Sequence, residues 1–123
     1  MPDIYLGEFE QVVLLAILRV KDDAYAIPVR EEIEARTGRT VARGALYTAL
    51  ERLESKRCLK SRMSEPLAER GGRSRRYFTV TPAGLSALRA SRHALLQLWS
   101  GIESQLDPSG HRTRAGGPGF QRP

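Results

Sequence analysis

Apolar residues near the start of the chain recur with helical spacing. Leu6, Phe9, Val13, Ala16, Ile17 and Val20 share one broad face, which predicts a first helix over residues 6–21. The stretch "DDAYAIP" interrupts the pattern, and Pro28 suits the first turn of a second helix, where a missing N–H costs nothing. That helix is expected over 27–37, stopped by Gly38. After "GRTV" a third helix is expected over about 42–56: Ala42, Leu46, Ala49, Leu50 and Leu53 lie on one face, Gly44, Thr48, Glu51, Arg52 and Ser55 lie opposite, and Tyr47 is at the flank. Two helices joined by so short a turn form a candidate helix-turn-helix.

The period then changes from helical to alternating. Leu59 and Met63 alternate with Lys60 and Arg62, a loop "SEPLAERGG" follows, and "RSRRYFTVT" at 73–81 sets Phe78 and Val80 against Arg73, Arg75, Tyr77 and Thr79. This reads as a hairpin. Thr81 before Pro82 is an N-cap signal for a fourth helix. Its apolar positions, Leu85, Leu88, Leu95, Trp99, Ile102 and Leu106, with Arg92 at the one polar place, step by 3 and 4 as in a heptad seam. A helix over 82–106 would be about 37 Å long at 1.5 Å per residue. A seam of that length calls for a partner, most simply a second copy. From 107 to 123 the text is rich in Gly, Pro and Arg and almost free of aliphatic residues, so a disordered tail is expected.

At 123 residues with 41% hydrophobic content the chain has room for one modest core. The apolar run "VVLLAIL" at 12–18 is too short to span a bilayer, and the start carries no basic leader, so a cytoplasmic protein is expected. Cys58 is the only cysteine, which excludes an intrachain disulfide; it reads as a small, half-buried hydrophobe or as a redox sensor. His93 and His111 have no neighbours that would make a metal site or a base, and no nucleophile or carboxylate constellation stands out. Neither an enzyme nor a metal or other cofactor is expected. Charge changes the picture more. Residues 56–76 carry eight cations and two acids, an excess equal to the +6 of the whole chain. A local patch of this kind attracts nucleic acid, although the same arginines would also guard an edge strand against unwanted pairing.

The segments "AYAI" (24–27), "GALYTALERLE" (44–54) and "GGRSRRYFTVTPAGLSAL" (71–88), in that order, resemble the PadR-like winged helix-turn-helix transcriptional regulators. The resemblance implies a mainly α fold with a small β-hairpin. It implies a winged helix-turn-helix DNA-binding domain over 1–81 whose first helix contributes to the dimer, and a long C-terminal dimerisation helix over 82–106. The implied function is sequence-specific binding of double-stranded DNA by a homodimer, usually as a repressor. The third helix would enter the major groove and the hairpin wing would lie along the backbone or minor groove. Some relatives hold a flat aromatic effector at the dimer interface. Three positions depart from the family pattern. Ala42 stands where Ser usually caps the third helix, a loss of about 1 kcal/mol unless Thr40 takes over. Arg57 stands where Gly usually ends it, and Ala24 replaces a Gly before the second helix.

The candidate DNA-binding residues are Arg43, Gly44, Tyr47, Thr48 and Arg52 on the third helix, with Arg70, Arg73, Arg75 and Arg76 on the hairpin. Thr48, with the bulk-free Gly44 one turn earlier, would meet base edges, while Arg43, Tyr47 and Arg52 would hold phosphates. The alternative for this face is an ordinary solvated surface, and Glu51 on it either repels the backbone or accepts from cytosine. The candidate dimer residues are Leu6, Phe9, Leu85, Leu88, Leu95, Trp99, Ile102 and Leu106, with Trp99 reading either as dimer core or as an effector contact. A second function class remains: a winged-helix module that binds RNA or an acidic protein.

Overall fold

The computed structural model describes residues 4–66 and 71–107. It contains α1 (Glu8–Val20), α2 (Ala26–Thr37), α3 (Arg43–Ser55), β1 (Leu59–Met63), β2 (Arg76–Val80) and α4 (Pro82–Trp99), with 3-10 turns at Lys21–Asp23 and Glu103–Leu106. The chain divides into two units, Met1–Arg89 and Ala90–Pro123, so that α4 begins in the first and ends in the second.

In the first unit α1 packs against α2, α3 and β2. Val13, Leu14 and Ile17 of α1 are buried with Val29 and Ile33 of α2, Leu46, Leu50 and Leu53 of α3, and Phe78 of β2. "VVLLAIL" is apolar on more than one face, and only part of it faces this core: Leu15 and Leu18 are exposed. α2 stops at Gly38, whose φ of 73° places it in the left-handed region that favours glycine. Residues 38–42 then turn the chain into α3. Val41 is buried in this turn, and its N–H donates to Glu34 Oε2 at 2.8 Å.

No side chain caps α3, so Thr40 does not replace the missing Ser. The other end of α3 is better built. The Arg57 N–H donates to the Glu54 carbonyl and the Cys58 N–H to the Leu53 carbonyl, both at 2.9 Å, with Arg57 at φ 63°. This is a Schellman closure with arginine in the place where glycine is usual. Cys58 and Leu53 are both fully buried beneath it.

β1 and β2 form an antiparallel pair in the register Leu59↔Val80, Ser61↔Phe78 and Met63↔Arg76. The second strand is shorter than its alternating pattern predicts, because β1 offers only five residues to pair with. Arg73 and Arg75 therefore precede β2, where one further exchange joins Ser64 and Arg75: the Ser64 N–H donates to the Arg75 carbonyl at 2.7 Å and the Arg75 N–H to Ser64 Oγ at 2.8 Å. On the other edge of β2 the Phe78 N–H donates to the Ala24 carbonyl at 2.8 Å. Ala24 is buried at φ −81°, so the missing glycine causes no strain there.

Thr81 does two tasks where the hairpin passes into α4. Its hydroxyl donates to the Arg57 carbonyl at 2.7 Å and accepts from the Gly84 N–H at 3.0 Å. α4 itself is shorter than the expected span to 106. It ends at Trp99, and Gly101 at φ 87° turns the chain into the 3-10 segment. The seam pattern continues past the helix that carries it, because leucine spacing alone does not register a glycine stop. Of the expected tail, all but Asp107 lies outside the described residues. Among the described residues no helix is long and apolar enough to cross a membrane.

Candidate nucleic-acid interface

α3 buries Leu46, Ala49, Leu50 and Leu53, so its 3.6-residue period turns Arg43, Gly44, Tyr47, Thr48, Glu51 and Arg52 outward, and all six are exposed. A Cβ at Gly44 would meet nothing within 4 Å. Glycine is thus not demanded by the packing, and it leaves this part of the ridge low.

A groove lies along each flank of α3. One, of about 670 Å3, runs between α2, α3 and the hairpin and is lined by Arg30, Arg43, Arg73, Arg75 and Arg76, with Tyr25 and Tyr47 among them. The other, of about 690 Å3, lies between α3 and the residues leading into α1. Tyr5, Phe9, Gly44, Thr48, Arg52 and Lys56 contribute to it. The predicted residues of α3 are thereby divided, with Arg43 and Tyr47 on the hairpin side and Gly44, Thr48 and Arg52 on the other.

The arginines differ in what holds them. Arg75 lies 4.2 Å from the centre of the Tyr25 ring and Arg62 lies 4.7 Å from that of Tyr77, while the two tyrosines meet edge to face at 5.4 Å. Arg43 lies over Tyr47 at 6.0 Å. A guanidinium held over an aromatic ring is steadied there by cation–π attraction and keeps N–H groups able to donate. Among the described residues Arg43, Arg62 and Arg75 take no carboxylate partner. Arg76 is exposed but differently engaged: it shares the face of Phe78 and Val80, and its guanidinium pairs with Glu54 of α3. Arg30 is paired with Glu34 at 3.5 Å. Arg70 lies outside the described residues.

Sequence reasoning missed Tyr25, Arg30, Arg62, Tyr5 and Lys56. The hairpin register would have exposed Arg62, which stands opposite Tyr77. Nothing local signals Tyr5, which reaches the site through a distant contact: Lys56 Nζ donates to the Tyr5 carbonyl at 2.6 Å and to Glu10 Oε1 at 2.7 Å. Burial alone would raise the Glu10 carboxyl, but hydrogen bonds from Lys56 and the Gly7 amide, with the charges of Lys56 and Arg52, leave it below its ordinary value.

The candidate dimer residues separate as well. Leu6 and Leu88 are buried in the core of their own chain, and Phe9 and Leu85 are half-buried. In the second unit Leu95, Trp99, Ile102 and Leu106 are exposed, as are Leu96 and Leu98 beside them. Cys58 is fully rather than half buried, and burial pushes its thiol up, which depletes the reactive thiolate. Among the described residues no group of three or more His, Cys, Asp or Glu side chains is arranged to hold a metal ion.

Comparison with known proteins adds to this geometry. Residues 14–90 match the profile of the transcriptional regulator PadR-like family. No curated protein matches the chain. Among solved structures the fold is similar to that of a PadR-family transcription regulator from Clostridium difficile, with 24% identity, a TM-score of 0.65, and 80% of this chain and 98% of the other covered. It is similar to a PadR-like transcription factor from Bacteroides fragilis at 23% identity and TM-score 0.64, covering 79% and 88%. A PadR-family transcriptional regulator from Eggerthella lenta shares 25% identity at TM-score 0.62, covering 83% and 88%.

Proposed function

This chain belongs to the PadR-like family of transcriptional regulators, and from that membership we propose that it is a homodimeric repressor that binds specific sites on double-stranded DNA. The family consists of DNA-binding regulators, not enzymes. In this reading α3 enters the major groove, and Arg73 and Arg75 meet phosphate or the adjacent minor groove. Residues 1–81 bind DNA, and the helix that starts at Pro82 joins two copies.

The observation that carries the reading is the outer face of α3, which is free of overlying side chains and flanked by a groove into which five arginines are gathered. A helix in the major groove needs such a ridge, and the phosphates on either side of the groove need cations at its flank. Its place over the Tyr25 ring favours this role for Arg75, because the contact steadies the cation before DNA arrives. The exposed apolar residues of the second unit support self-association.

The decisive experiment titrates the full-length protein with duplex DNA, single-stranded RNA and an acidic peptide at matched salt. Duplex should bind tightest, with an affinity that falls steeply as salt rises. Arg75→Ala should weaken all duplexes alike and flatten the logarithmic salt dependence by about one, whereas Thr48→Ala should change preference among sequences. Equal or tighter binding of RNA or peptide would replace this reading with that of an interaction module. Repression is tested with a reporter whose promoter carries a duplex site selected by the protein, and expression should fall when the protein is supplied.

A further inference from the structure

Arg76 has the residue type of a phosphate contact and the position of something else. In β2 it has the same parity as Phe78 and Val80 and faces α3, with its guanidinium 5.2 Å from the Phe78 ring. There it closes a triangle. Arg76 pairs with Glu54 of α3, its Nε–H donates to Ser61 Oγ at 3.1 Å, and the Ser61 hydroxyl donates to Glu54 Oε2 at 2.7 Å. Ser61 belongs to β1 and Arg76 to β2, so one carboxylate of the candidate recognition helix holds both strands of the hairpin.

Resting on the DNA-binding reading above, we infer that Glu54 is a positioning residue that sets sequence discrimination by pinning the wing to α3, with Arg76 as its counter-ion. Phosphate contacts fix the orientation of a protein on the duplex but carry no sequence information, so base readout by α3 depends on how rigidly the phosphate-binding element is joined to it. A wing that pivoted would find phosphate on any duplex without bringing α3 into register. The triangle opposes that pivot. It also neutralises one wing cation, which lowers the sequence-independent attraction that every duplex shares.

The test uses the full-length protein and two probes: a duplex it selects from a randomised pool, and a duplex of the same composition in shuffled order. Glu54→Gln keeps the shape and removes the charge. The ratio of selected to shuffled affinity should fall by about tenfold, while the logarithmic salt dependence for the shuffled duplex steepens by about one as Arg76 becomes available. Ser61→Ala, a milder change, should lower the ratio by about threefold. The exchange of Glu54→Arg with Arg76→Glu should restore it. A merely structural role would lower the thermal midpoint and scale both affinities together, and an unchanged ratio in Glu54→Gln overturns the inference. So does a shallower salt dependence in Arg76→Gln, which would make Arg76 a phosphate contact. If the unaltered protein binds both duplexes equally, the DNA-interface reading is what fails. The pin is then judged by a double-mutant cycle of thermal unfolding between Glu54 and Arg76, where absence of coupling removes it.

Discussion

Arg57 holds φ 63°, a conformation that costs a side chain with a Cβ roughly 1–2 kcal/mol relative to glycine. Its carbonyl is nevertheless engaged by Thr81, and both Schellman bonds around it are made at ordinary length, so the turn is retained by its surroundings. Arg57→Gly should therefore raise stability by up to about 1 kcal/mol, the gain being reduced by the greater freedom of the unfolded chain, as read by urea denaturation. A second residue, Glu10, is only 8% exposed and is held by Lys56 and the Gly7 amide. Glu10→Gln should cost about 1.5–3 kcal/mol at neutral pH, the range for hydrogen bonds to a charged group. The carboxyl is lower in the folded chain than its ordinary value, so its contribution is complete above the usual carboxylate range and is lost as pH falls through the folded value. The stability gap between the unaltered protein and the variant should consequently narrow as denaturation is repeated from about pH 7 down to about pH 3. Glu8 and Glu32 are also lowered, chiefly by hydrogen bonds from Arg39 and Arg36. Their ion pairs are exposed, so they should add little to this trend.

Three elements approach closely where α3 ends, β1 begins and α4 starts. A Cβ on Gly84 would lie 2.4 Å from the Cys58 carbonyl oxygen and 2.9 Å from Val80 Cγ1, and backbone at that distance has to shift. Gly84→Ala should destabilise by about 1–3 kcal/mol, the usual range for overpacking, measured by thermal unfolding. Because that joint also holds the base of the wing, DNA affinity should drop in the folded variant. This packing was not legible in the sequence. Thr81 and Pro82 announce the helix start, but the contact of Gly84 with residue 58 depends on tertiary approach. The four helices, the hairpin and the outward face of α3 were legible, because each rests on periodicity within one element. The role of Arg76 was not, since its partner Glu54 lies 22 residues away in the chain and only the register β1–β2 brings Ser61 between them. The strand parity did hold the clue: Arg76 falls on the face of Phe78, not on that of Arg75. The stop after Trp99 was legible only as Gly101, a single residue outweighed by the regular leucines around it.

At the scale of the whole molecule the question is what covers the apolar side chains that the chain leaves open. In the second unit Leu98 is 73% exposed, and Leu95, Leu96, Trp99, Ile102 and Leu106 are exposed with it. Burial of apolar surface is worth about 25 cal/mol per Å2, so six such side chains on a short helical segment supply a strong drive to associate. α4 is about 27 Å long at 1.5 Å per residue, and the 3-10 segment beyond Gly101 carries the last of these residues. Leu95 and Trp99 lie one turn apart on one face of the helix. Replacing both with Glu would put two charges where a second copy is proposed to pack, and the product should sediment as a monomer at concentrations where the unaltered protein is a dimer. A dimer that engages two half-sites gains by effective concentration, so affinity for a duplex with both half-sites should fall by about 10² or more while affinity for a single half-site stays nearly unchanged. The chain's one tryptophan gives an independent measurement in the unaltered protein. Its emission should shift to the red on dilution through the dissociation constant, as Trp99 leaves an apolar contact for water. If the double variant still sediments as a dimer, the copies meet through another surface, and the exposed Leu15 and Leu18 of α1 become the next residues to replace.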